Sequence, residues 1–139
     1  MKKNTTLWYM LLMMVMILPL CTSCSKDSSS DGGDPPISKS DIIGTWYTLE
    51  DDWVLVFNDT EVTLYELWNR GDSYELNTSY YVTSKYTIDG NRVMDDHMGI
   101  MSVSFLSKDK MKAIAGDQTY MFTRFNGTVW ELIDYLNEK

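Results

Sequence analysis

The sequence predicts an all-β fold over residues 41–139: an eight-stranded, antiparallel, up-and-down barrel with a short C-terminal α-helix. Three observations predict it. From Asp41 onward, short runs rich in Val, Thr, Tyr, Phe and Trp alternate with turn residues, which is the composition of strands. The connections between the runs are too short for helical crossovers, so neighbouring strands pair antiparallel. At the C terminus, "GTVWELIDYLNEK" changes to a helical spacing.

The runs fall at 43–49, 53–57, 61–68, 79–88, 92–95, 100–107, 110–115 and 119–125. Between them, "NDT" at 58–60, "DGN" at 89–91, "SKDK" at 107–110 and "GDQ" at 116–118 can each close a hairpin. Alternation assigns the faces. In "SYYVTSKYTI", Tyr80, Val82, Ser84, Tyr86 and Ile88 share one side, and Tyr81, Thr83, Lys85 and Thr87 the other. In "MSVSFLS", Val103 and Phe105 oppose Ser102 and Ser104. Eight short strands in sequence order make a meander, and closing it removes the exposed edges of an open sheet. The helix starts at Thr128, with Glu131 completing a capping box. Val129, Ile133 and Leu136 fall on one face with Trp130 beside them, a stripe that packs against the barrel or across one end.

The amino terminus is of another kind. In "MKKNTTLWYMLLMMVMILPLCTSC", Lys2 and Lys3 precede an apolar run of fourteen residues at 7–20. A membrane-spanning helix needs roughly 20 such residues, so this run has the length of a signal-peptide core. A buried helix of the mature fold is the alternative, but nothing else in the chain complements so uniformly apolar a helix. Both cysteines, Cys21 and Cys24, follow the run. Small residues before a cysteine resemble the bacterial lipobox. Ser23 and Thr22 occupy the two positions before the cut, Cys21 replaces the usual Leu, and Leu20 lies one step further out. A cut before Cys21 would place Pro19 and Leu20 at the cleavage site.

The lipobox resemblance implies a lipoprotein signal peptide over 1–23 and lipidation of Cys24. The cysteines are then neither a metal half-site nor a redox pair, and the mature domain keeps no disulfide. "SKDSSSDGGDPPISKS" has the composition of a flexible tether, placed at 24–40. Lys26, Asp27 and the acids after them resemble export signals of Bacteroidota-type surface lipoproteins. That resemblance implies an outer-membrane lipoprotein, periplasmic or surface-facing, with the surface favoured.

Charge agrees with a lipid anchor. Twenty Asp and Glu face twelve Lys and Arg, a net charge of -8. Removing residues 1–23 takes Lys2 and Lys3 but no acid, leaving -10. Such a balance argues against nucleic acid, whose phosphates need Lys and Arg. It also repels anionic lipid head groups. Acyl chains supply the membrane hold instead, at about 0.8 kcal/mol per buried CH₂.

Strand one opens with "DIIGTWYTLE", and Gly44-x-Trp46 there resembles the signature of lipocalin-like (calycin-type) barrels. The resemblance implies that the Trp packs across a closed barrel end, under an Arg from the last strand. "YMFTRFNG" offers Arg124 in the matching place. A guanidinium over an indole gains roughly 0.5–2 kcal/mol. Gly44 is expected to let the chain pass close beneath that end, where a Cβ would collide. The resemblance spans most of 41–139, with departures: the helix follows the last strand directly, and "EDD" at 50–52 is a tight first loop. In a small barrel the side chains can fill the interior.

Chemistry is sparse. His97, the single histidine, lies beside Asp95 and Asp96. A transition-metal site needs more His or Cys than the mature chain has, and calcium on these acids lacks EF-hand spacing, so a polar loop is expected. Arg70-Gly71-Asp72 reads as a Gly turn before an adhesion motif. The Asn-x-Ser/Thr triplets at Asn4, Asn58, Asn77 and Asn126 lose their glycosylation meaning beside a bacterial lipobox. No nucleophile elbow, phosphate loop or His-containing triad is present, and nothing singles out a carboxylate pair. No catalytic residue, metal or cofactor is therefore expected, and the chain does not read as an enzyme.

Aromatic residues remain. Most are core, while Tyr65, Trp68 and Tyr80 are expected to flank a barrel mouth. The expected function is non-catalytic binding of a small, mainly apolar ligand in the barrel. The alternative is a protein- or glycan-interaction accessory subunit with a filled barrel. An interior of roughly 300 Å³ or more favours the first. Oligomeric state stays open.

Overall fold

Eight strands close on themselves in sequence order. The structure, a computed structural model, describes residues 34–139. The signal segment, Cys24 and most of the expected tether lie outside the described residues. The strands are β1 (Gly44–Thr48), β2 (Trp53–Phe57), β3 (Glu61–Asn69), β4 (Tyr74–Asp89), β5 (Arg92–Asp95), β6 (Gly99–Ser107), β7 (Lys110–Ala115) and β8 (Gln118–Phe125). Each pairs antiparallel with the next. β8 returns to β1 through Thr45↔Phe125, Trp46↔Arg124 and Tyr47↔Thr123. Two helices flank the barrel, α1 (Lys39–Ile42) and α2 (Val129–Asn137). The all-β barrel with a short C-terminal helix is thus the fold, consistent with a lipocalin-like architecture.

The interior follows from alternation. Trp46, Leu55, Phe57, Val62, Tyr86, Val93, Met101, Val103, Met111, Ala113 and Phe122 form one buried cluster inside. Val103 and Phe105 point inward as their period-two spacing requires, and Tyr86 and Ile88 do the same on β4. β2 reads "WVLVF" with no wet face, and the reason is physical. Leu55 and Phe57 fill the barrel, while Val54 and Val56 lie outside it beneath α2.

That outer layer is a second core. Val129, Leu132 and Leu136 of α2 pack with Val54, Leu67 and Leu76 on the outer wall. Ile133 is half-buried against the same cluster, and Trp130 is 59% exposed rather than part of the packed stripe. Thr128 caps the helix as its sequence predicts. Its hydroxyl accepts from Glu131 N at 3.3 Å, and its own N donates to Glu131 Oε2 at 2.7 Å. Asn137 ties the far end to β4, accepting from Tyr74 N at 2.6 Å and donating to Tyr74 O at 3.0 Å.

Two elements differ from expectation. β4 begins at Tyr74 rather than 79, because the β3–β4 hairpin runs on through Leu67↔Leu76, Trp68↔Glu75 and Asn69↔Tyr74. The register breaks between Tyr65 and Leu67, where Glu66 alone spans residues 77–80 of β4. Asn77 holds this bulge. It is 7% exposed, donates to Glu66 Oε2 at 2.6 Å and accepts from Ser79 N at 3.1 Å. A turn-like polar run inside a strand hides that strand from composition.

The second difference lies at the expected tether, whose last residues belong to the domain. Ile37 packs on the barrel core, and its N donates to Gly90 O at 2.9 Å. Ser38 then starts α1, its N donating to Asp41 Oδ2 at 2.9 Å. Hydrogen bonds from the Ser38 hydroxyl and backbone hold the Asp41 carboxyl below its ordinary range.

Candidate functional site

An up-and-down barrel places its loops alternately at two ends, and these ends are built for different tasks. At the end carrying α1, Trp46 is completely buried, and its Nε1 donates to Ile42 O at 2.7 Å. The Arg124 guanidinium lies over the indole, Cζ 4.4 Å from the ring centroid. The same guanidinium donates to Asp41 O, and to Ile43 O at 3.5 Å. Two side chains from paired strands thus receive the carbonyls that end α1, groups a helix cannot satisfy itself. Phe105 packs against Trp46 at 5.7 Å between centroids. This end is plugged.

Gly44 serves the plug for a different reason from the one expected. A Cβ there would meet nothing within 4 Å. What calls for glycine is its φ of +131°, a conformation L side chains rarely adopt. Close approach is not the constraint.

The opposite end is open. A cavity of about 180 Å³ lies there, walled by Trp53, Leu64, Met98, Met101, Ala115 and Tyr120, with Leu55 and Phe122 completing it. Trp53 is the first residue of β2, Ala115 the last of β7, and Met98 sits in the β5–β6 loop, so the space belongs to the mouth. Deeper in, Phe57 and Tyr86 meet edge-on at 5.2 Å and fill the barrel. The cavity is apolar, and smaller than the roughly 300 Å³ that encloses a whole small molecule.

Tyr65, Trp68 and Tyr80 do not line this cavity and are not brought together around it. Tyr65 points outward and stacks on Tyr81 at 5.7 Å. Burial beside the helix layer raises its phenol above the ordinary range. Trp68 stands on the hairpin extension under Arg70, whose Cζ is 4.4 Å from the ring. Tyr80 sits in the β4 bulge and is 51% exposed. The mouth residues the sequence argument missed carry a legible signal. Trp53 with Leu55, and Tyr120 with Phe122, are inward pairs at period two, each at the end of its strand nearest the open loops.

Other candidate features fall into place as loop geometry. Arg70-Gly71-Asp72 forms the β3–β4 turn, with Arg70 N donating to Ser73 O at 2.8 Å and Gly71 at φ +93°. His97 lies in the β5–β6 loop, its N donating to Asp95 Oδ1 at 2.8 Å. Among the described residues, no three His, Cys, Asp or Glu side chains gather as metal ligands. A wider depression of about 680 Å³ runs along the arm before α1, past Pro36, Leu106, Lys108 and Arg124, outside the barrel.

No protein-family model matches the chain, and no curated protein or solved structure matches it significantly.

Arg124→Ala removes both the stack and the α1 carbonyl contacts. It is expected to lower unfolding free energy by about 1–3 kcal/mol in urea denaturation, leaving the mouth cavity unaltered.

Proposed function

We propose that this protein is a lipid-anchored, non-catalytic binding module. Cys24 holds it to the outer membrane of a Bacteroidota-type bacterium, and the barrel mouth receives the apolar end of a small molecule. The observation that carries this reading is the apolar cavity of about 180 Å³ between Trp53, Leu64, Met101 and Tyr120. Apolar cavities of about 150 Å³ take up benzene. One ring or a short alkyl segment therefore fits, and the remainder of a larger ligand would stay at the rim.

A second reading has its own support. Tyr81 is 57% exposed on the outer wall, and Tyr65 stacks on it at 5.7 Å between centroids. Such a surface suits a sugar ring or a protein partner, which would make the chain an accessory subunit.

Cys24→Ala abolishes labelling by radioactive palmitate and leaves the signal uncut; normal labelling would remove the lipobox assignment. Ala115→Phe fills the mouth. Titration of the parent with toluene is expected to perturb Trp53 emission saturably, and the Ala115→Phe variant should show no such response. An identical response in both would place binding elsewhere.

A further inference from the structure

The outer surface of the barrel is divided by charge. On one side α2, which carries Glu131 and Asp134, covers the wall around β2 and β3. The opposite wall, β5–β8, is of another kind. Its strands contain a single acid, Asp95, and that side chain is buried. Val93, Met111 and Ala113 point into the barrel, so Arg92, Lys110 and Lys112 point out. The register makes them one surface: Arg92 lies opposite Ser102, and Lys112 lies between Ser104 and Met121. Among the described residues, none of these three cations is in an ion pair. Ile100 and Met121 stand on the same wall, 56% and 41% exposed. Asp89, Asp96, Asp109 and Asp117 are confined to its edges, in or beside the turns. In a chain of net charge -8, a wall with exposed cations and apolar groups but no exposed strand acid is a segregated surface.

The arm enters the domain at the foot of this wall. Ile37 N donates to Gly90 O in the β4–β5 turn. Asp34, Pro35 and Pro36 line one depression with Leu106 and Lys108 of the β6–β7 hairpin. Leu106 is 62% exposed, and the Lys108 side chain reaches almost wholly into solvent. Asp34 follows Cys24 by ten residues, a length of chain that spans at most about 35 Å. A short linker gives an effective concentration in the millimolar range. Contacts too weak to recruit a free protein therefore suffice to turn one face of an anchored protein toward its membrane.

We infer that the outer wall of β5–β8 is the membrane-facing surface of the domain, lying on lipid phosphates through Arg92, Lys110 and Lys112. Ile100, Met121 and Leu106 meet the head-group boundary beside them. This rests on the lipid-anchor reading above and adds which side of the barrel meets the bilayer. Exposed apolar groups among Lys and Arg suit an anionic lipid surface. Charges are screened over about 8 Å at physiological ionic strength, so acids across the barrel do not cancel this attraction. The acidic α2 side is repelled by the same phosphates, and the two effects together fix one orientation. An acidic protein would match the wall's charge as well. The entry of the chain beneath this wall favours the surface in which its own anchor sits.

Paramagnetic broadening from the bilayer tests this orientation. The acylated mature chain, with carbon-13 labelled Ile and Met methyls, is placed in nanodiscs of equal parts phosphatidylglycerol and phosphatidylcholine containing a gadolinium-chelating lipid. Ile100, Ile114 and Met121 mark the wall, and Ile133 marks α2. The wall methyls are expected to lose most of their signal while Ile133 keeps it. The contrast shrinks in phosphatidylcholine alone and as salt rises. It is lost in the Lys110→Glu/Lys112→Glu variant, where an unchanged signal from buried Met111 shows the fold intact. Equal loss on both sides, or greater loss at Ile133, overturns the proposal. Wall shifts that grow with the number of chains per disc and ignore lipid charge assign the wall to a second copy, and overturn it too. Intact mass reads the anchor separately. If Cys24 carries no acyl group, its thiol is coupled to a maleimide lipid and the same spectra decide the wall on its own.

Discussion

Arg124 lies on Trp46, and both side chains take carbonyl groups from the residues of and just after α1. The two residues are direct partners across the β1–β8 seam, where the last strand closes on the first. A barrel closes only if that seam forms in one register, since a slip of one residue would send Trp46 to the outer face. The indole, the guanidinium and the arm before β1 make the register specific, because each needs the other two in place. A lysine at 124 could supply the charge but neither the flat stacking surface nor the forked donors.

From this plug the remaining packing follows. Large side chains crowd the closed half, and α2 consumes the apolar outer face of β2 and its neighbours. At the open end a space is left where Ala115 stands beside Leu64 and Met101, between Trp53 and Tyr120. The chain thus builds two cores on one wall and leaves its unfilled volume at the mouth. Acidic residues are concentrated around that same mouth, while both signs occur at the plug.

Much of the fold was legible in the sequence because its cause is local. Alternating inward residues, short turns and the Thr128–Glu131 cap each act within a few residues. The extended start of β4 was not legible, since its polar bulge at Asn77 is stabilised by Glu66 across the sheet. α1 was hidden for a similar reason: four residues form no helix alone, and distant Trp46 and Arg124 hold its end. At the site, Gly44, Trp46 and Arg124 could be picked out, although glycine is required there by backbone conformation rather than crowding. Tyr65, Trp68 and Tyr80 drew attention as aromatics near a strand end. Strand parity, the β4 bulge and the hairpin extension carry them elsewhere, and aromatic content alone contains none of that information.

The barrel holds an apolar space at one end and a filled interior at the other. Methionine methyl groups sample both, with Met98 and Met101 at the mouth, Met111 buried away from the cavity and Met121 exposed. Carbon-13 methyl spectra of the protein under rising xenon pressure read these positions together. Saturable shifts at Met98 and Met101, with Met111 and Met121 unmoved, are the predicted result. Uniform small shifts at all four methyls would contradict it, leaving a barrel with no site at its mouth.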